Sequence, residues 1–200
     1  AVRDVMEHRT VEKVAAIAQP RTDIREYEQG EVNGEVPLTP IQQQFFEQDY
    51  SAEAHFNQAL MLKSIGGFNE TALQQALAAG VKHHDTLRAL YNNGKQTVLP
   101  SSESKLYDLL VFDQRGKAVD ADWIECNNSA IQADINLKGV PLLKAGLYKL
   151  DGADRLLVFL HHLVVDGVSW RILAGDISSA YMQAKSRENI QLPPKTASYR

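Results

Sequence analysis

RLLVFLHHLVVDGVSW, residues 155–170, decides how the rest of the chain is read. Leu156–Leu160 is apolar at every position, the mark of a strand covered on both faces. The run then changes character within a few residues, through His161, His162, Asp166 and Gly167. Ser169 can cap a helix in which Leu173, Ile177, Ala180 and Ala184 turn inward. A doubly covered strand feeding directly into a helix belongs to an α/β protein. The end of such a strand, next to a helix start, is where α/β folds often place chemistry.

Working outward, strands and helices continue to alternate. Leu142–Leu150 and Arg155–His161 are strands joined by the turn DGAD, 151–154. Val119–Ile131 reads as a helix with Val119, Trp123, Cys126 and Ala130 on one stripe. Leu106–Phe112 is a strand, and Leu87–Tyr91 and Gln96–Leu99 flank the hairpin signal NNG, 92–94. Phe68–His83 gives the clearest helical period, with Leu73, Ala76, Leu77, Gly80 and Val81 on one face. His55–Lys63 is a strand. Residues 20–36 are polar, glycine-containing and aperiodic, and read as a linker, so the main domain begins near Pro37. Residues 10–19 form a short amphipathic helix capped by Thr10 and stopped by Pro20, with Val11, Val14, Ala15 and Ala18 on its apolar side. The pattern is a mixed α/β sandwich.

The chain has 200 residues, enough for a real core. A net charge of −4 with no basic block argues against a nucleic-acid surface. No apolar run approaches the roughly 20 residues of a membrane helix, and the start AVRDVMEHRT has no signal-peptide character. The single cysteine, Cys126, excludes an internal disulfide framework and reads as packing on its helix. Together these point to a reducing, cytoplasmic setting. The chain opens without methionine and closes on LPPKTASYR, and it reads as an excerpt of something larger.

Two chemistries compete at the histidine pair. An unperturbed imidazole titrates near pH 6.5, which suits proton transfer. Successive strand residues point to opposite faces, so at most one of His161 and His162 faces a given cavity. The other must find partners in the core. Asp166, if buried, requires a cation or several N–H donors, Gly167 suits a backbone position that a side chain would block, and Trp170 would anchor the helix. The bland reading is a core strand that ends in structural histidines. Metal binding is disfavoured, because adjacent strand histidines diverge and no third ligand stands at sensible spacing.

HHLVVDGVSW resembles the HHxxxDG signature of the condensation-domain superfamily of nonribosomal peptide synthetases, and VSWRIL is similar to its epimerization branch. PLTPIQQQFFEQ (37–48), HFNQALML (55–62) and VKHHDTLRALY (81–91) resemble further motifs of that branch, in the right order. Gln44 stands where the family usually carries tryptophan. The resemblance covers roughly residues 35–200. It implies a chloramphenicol acetyltransferase-like mixed-sheet sandwich, of which 37–200 is the first of two lobes, the C-terminal lobe being absent. DVMEHRTVEKVAAIA, within residues 1–19, is similar to the last helix of a peptidyl carrier domain.

The resemblance implies that His162 is catalytic and His161 core-packed. It makes Asp166 structural and paired with Arg88, and Gly167 the residue that keeps the approach to the active-site tunnel open. His83 and His84 are structural or solvent-facing. The implied substrate is an aminoacyl or peptidyl thioester on the phosphopantetheine arm of a partner carrier domain; the chain has no cofactor or metal of its own. The reaction removes the Cα proton from one face and returns it to the other. The second acid/base group, a glutamate, is expected in the C-terminal lobe, so the 200 residues alone are expected to be inactive. A condensation domain making peptide bonds, a non-catalytic docking module of the same fold and a coenzyme A acyltransferase are the alternatives.

Overall fold

The structure is a computed structural model and describes residues 2–18, 27–48, 50 and 53–199. Two short helices open it, α1 (Val2–His8) and α2 (Val11–Ile17). Thr10 caps α2 by accepting from the Lys13 N–H, as its position suggests. The helix ends at Ile17, short of residue 19, and Pro20 lies outside the described residues. Its apolar side is not packed: Val11 is 88% exposed, and no described residue of α1 or α2 is buried.

The proposed linker is only partly one. Residues 20–26 lie outside the described residues. Gly34–Val36 is a strand, β1, paired antiparallel with β4 (Lys95–Val98), and Val32 before it is buried. Docking therefore begins upstream of Pro37.

α3 (Pro40–Glu47) starts on a capping box, with Thr39 and Gln42 satisfying each other's backbone N–H. β2 (Asn57–Ser64) follows a single 3-10 turn that contains His55. α4 (Glu70–His83) buries the apolar face its period defined. Leu73, Leu77 and Val81 are fully enclosed, each worth about 1.5–3 kcal/mol of transfer free energy. β3 (Ala89–Asn92) and β4 form the NNG hairpin, with Asn93 and Gly94 both at positive φ as a tight primed turn requires. The small sheet runs β1-β4-β3.

β5 (Asp108–Asp113), α5 (Ala121–Ala133), β6 (Lys144–Lys149), β7 (Asp154–His161) and α6 (Gly167–Lys185) complete the chain. The larger sheet has the order β2-β7-β6-β5, antiparallel except for the β5–β6 pair. The long apolar strand β7 is thus central. Alternate residues Leu156, Val158 and Leu160 enter the core shared with α4 and α6, while Phe159 enters the second core with Ile131 of α5 and Tyr91 of β3. Helices on one face and a helix plus a small sheet on the other make a mixed α/β sandwich.

Three expectations need correction. The stripe on α5 is rotated: Cys126 and Ala130 are exposed, and Asn128 and Ile131 are buried instead. The anchor is polar, because the Tyr148 hydroxyl donates to Asn128 Oδ1 at 2.7 Å beside Gly146, where helix and sheet approach closely. Cys126 is therefore not a packing residue. Ser169 does not cap α6. Asp166 does, accepting from the Ser169 N–H and hydroxyl, both at 2.7 Å.

Candidate functional site

The end of β7 sorts its two histidines by the strand's own alternation. His161 points to the side of Phe159 and is 0% exposed. Its ring meets Phe45 of α3 edge-on, centroids 5.7 Å apart. Nδ1 accepts the Leu163 N–H at 3.1 Å, so Nε2 carries the proton and donates to the Glu53 carbonyl at 2.7 Å. Burial pushes this imidazole below its ordinary value, the Glu53 bond opposing.

His162 lies on the opposite side, half-buried, beside the start of α6. The chain leaves the ladder here, with the His162 N–H donating to the Phe56 carbonyl at 2.9 Å, and the Phe56 ring stacks on the imidazole at 5.4 Å and 13°. Nδ1 faces the Val165 carbonyl at 2.7 Å and Nε2 faces the Gln58 side-chain nitrogen at 2.9 Å. A carbonyl only accepts, so Nδ1 bears the hydrogen. The indole N–H of Trp170 only donates, and it reaches Gln58 Oε1 at 2.8 Å. That fixes the orientation of the Gln58 amide, whose NH2 must donate to Nε2. Trp170, Gln58 and Val165 therefore lock His162 in the tautomer with its lone pair on Nε2. The two adjacent histidines hold opposite tautomers.

The loop after the histidines is held from below. Gln42, buried on α3, donates to the Leu163 carbonyl at 3.0 Å and to the Tyr91 hydroxyl at 3.1 Å. The PLTPIQ stretch thus supports the histidine loop. Neither Gln42 nor Gln58 stood out as functional in the sequence. The usable signal for Gln58 was its register: it pairs with Leu160, and so shares the face of His162, two residues on.

Asp166 and Arg88 are not partners. Asp166 is exposed at the N-terminus of α6, where the Ser169 backbone N–H, followed by its hydroxyl, holds the carboxyl below its ordinary value. Arg88 is 1% exposed and uses its donors elsewhere. Nε binds the Leu99 carbonyl at 2.9 Å, Nη1 the carbonyls of Val81 and Lys82 at 2.6 and 3.0 Å, and Nη2 Asp85 at 2.8 Å and Glu31 at 3.2 Å. It closes the C-terminus of α4, which a cation suits. At Gly167 an added Cβ would meet nothing within 4 Å, so no atom of this lobe demands glycine there. His83 and His84 lie at the end of α4, and His84 Nε2 meets Asp176 of α6 at 2.8 Å.

The sequence profile of the condensation domain matches residues 32–200. The chain belongs to the condensation-domain family. The family's fold is also that of the epimerization domain from the third module of tyrocidine synthetase B, which this chain matches with a TM-score of 0.83 and 42% identity over 86% of its length and 40% of that structure's. A starter condensation domain of rhizomide synthetase shares the fold at 17% identity and a TM-score of 0.67, over 82% of this chain and 40% of that one. Among curated relatives, a plipastatin synthase of Bacillus subtilis is 43% identical over 99% of this chain, and gramicidin S synthase 1 of Brevibacillus brevis 39% over 99%. This condensation-family chain spans only 8% and 18% of those two proteins. Among its described residues, no helix is long and apolar enough to cross a membrane.

Proposed function

We propose that the chain is the N-terminal lobe of an epimerization domain, which inverts Cα of an aminoacyl or peptidyl thioester carried on the phosphopantetheine arm of a carrier domain. The observation that carries this reading is the locked tautomer of His162, with an imidazole lone pair held at Nε2 by Gln58 and Trp170. A thioester carbonyl acidifies its Cα–H, because the carbanion delocalises as an enolate. Nε2 takes that proton, and the substrate reaches it by displacing the Gln58 amide. Once Nε2 bears the proton, it and the Gln58 NH2 are both donors and no longer bond. Turning the amide would set its NH2 against the Trp170 N–H. The amide therefore stays displaced while Nε2 carries the proton and re-forms its bond once the proton has left, as a reversible epimerization requires.

The epimerization reading over condensation is supported by the 42% identity to an epimerization domain, against 17% to a starter condensation domain. The partner group that delivers the proton to the other face belongs to the second lobe of the same domain. Residues 1–19 fit the end of a carrier domain. Similarity to the synthetases runs over 99% of the chain, upstream of where the condensation profile begins.

The test is solvent deuterium entry at Cα of an L-aminoacyl thioester on its carrier, in the whole synthetase module. Deuterium wash-in giving L and D products, abolished in His162→Ala and slowed in Gln58→Leu, supports the proposal. Absence of exchange, with peptide formation once a second loaded carrier is added, would make the domain a condensation domain.

A further inference from the structure

Helices α4 and α6 cross where Gly80 meets Ile177; a Cβ on Gly80 would lie 3.2 Å from Ile177 Cγ1. One turn further along α4, this close approach brings three ligand-bearing side chains together. His83 is the last residue of α4, His84 its C-cap, and Asp176 is a buried residue of α6. One ligand atom from each lies within 4.8 Å of the other two. His84 Nε2 and Asp176 Oδ2 already touch at 2.8 Å, and the His83 ring stands edge-on to His84 with centroids 5.0 Å apart.

We propose that His83, His84 and Asp176 bind one divalent cation of the zinc class. Imidazole and carboxylate ligands suit that class, with bonds near 2.0–2.2 Å and three protein groups leaving a fourth position for water. Seating the ion removes the hydrogen between His84 Nε2 and Asp176, and the pair opens by about 0.5 Å to span tetrahedral bonds of that length. The neutral ring keeps its one hydrogen, moved from Nε2 to Nδ1, so the cation enters with no net release of a proton. The neutral ring is the form that ligates. The bound ion joins α4 to α6 well away from His162, since Asp176 lies about 13 Å along α6 from its first residue. The site is independent of the proposed epimerase chemistry.

The experiment uses the purified protein without a histidine tag, stripped with chelator. Co2+ is titrated in and followed by its visible absorption, and Zn2+ is then titrated against a chromogenic chelator. One equivalent of four-coordinate Co2+, displaced by Zn2+, is the expected result. His83→Ala and Asp176→Asn are each expected to weaken Zn2+ by about tenfold or more, as loss of ligands or their supports does. His83 is partly exposed at the end of α4, whereas Asp176 is buried, so the His83 variant is the one less prone to misfolding. Undiminished affinity in His83→Ala, or an ion lost in His162→Ala but kept in His83→Ala, would overturn the proposal.

Discussion

Replacing Arg88 with methionine keeps the length of the side chain and removes all five donors. Three backbone carbonyls, of Val81, Lys82 and Leu99, lose their partner. Glu31 is about a third exposed and regains water. Asp85 keeps Lys195 Nζ at 2.8 Å, so it is not left uncompensated. Removing one member of a buried ion pair typically costs about 3–5 kcal/mol, and the surviving Lys195 contact places this case at the low end, near 3. That is a large part of a typical stability of about 5–15 kcal/mol. With a urea slope of about 1–3 kcal/mol per molar, the midpoint falls by about 1–3 M. Double-mutant cycles then separate the partners. Arg88→Met with Asp85→Asn should show a coupling of about 1 kcal/mol or more, while Arg88→Met with Asp166→Ala should be additive within about 0.5 kcal/mol. Asp166→Ala alone should cost about 1 kcal/mol, as for a lost helix cap. A coupling above about 1 kcal/mol between Arg88 and Asp166 would refute the assignment of both residues.

Two further outcomes follow from packing and burial. Gly146→Ala sets a methyl 2.9 Å from Ile131 Cδ1 and 3.0 Å from the Tyr148 ring, which should cost about 1–3 kcal/mol of overpacking; a thermal melt at the wild-type temperature would show that α5 yields without strain. Burial depresses the His161 imidazole below its ordinary value of 6.5, so its neutral form stabilises the fold above that pH, and the contribution is lost as pH falls from there through the folded value. Stability measured by urea at a series of pH values should decline on that acidic side, and His161→Phe should flatten the slope while lowering stability throughout; an unchanged slope would count against a buried neutral His161.

Regular periodicity made most of the elements legible. α4 and α6 bury the residues their spacing selects because both helices lie flat on one face of the sheet. β7 is apolar throughout because it is central. Where polar groups rather than area decide the packing, the sequence was less clear. α5 turns Asn128 inward to meet Tyr148, and a search for apolar stripes selects Cys126 instead. β1 is only three residues long and carries Glu35, so its pairing leaves almost no alternation to detect. At the site, strand alternation correctly assigns His161 and His162 to opposite faces. It says nothing of Trp170, 8 residues on in a helix, and it reaches Gln58, 104 residues away on a neighbouring strand, only once the register of β2 against β7 is known. Arg88 and Asp166 show the converse: the family resemblance implies that they pair, but Asp166 caps α6, and Arg88 spends its donors on the end of α4, Leu99, Asp85 and Glu31.

The Asp85 carboxylate ties together distant parts of the chain. One of its oxygens holds Arg88 and receives the Val32 N–H, and the other holds Lys195, whose backbone N–H and carbonyl also exchange hydrogen bonds with the side chain of Gln29. Residues 29–32 and residue 195 are 163 or more positions apart in sequence, yet both are fastened to the same short turn. The lobe is therefore buckled like a belt, with its incoming and outgoing strands of chain leaving from one point on the surface. The contacts that join Gln29, Val32 and Lys195 through Asp85 include no residue of the sheet that carries the histidines.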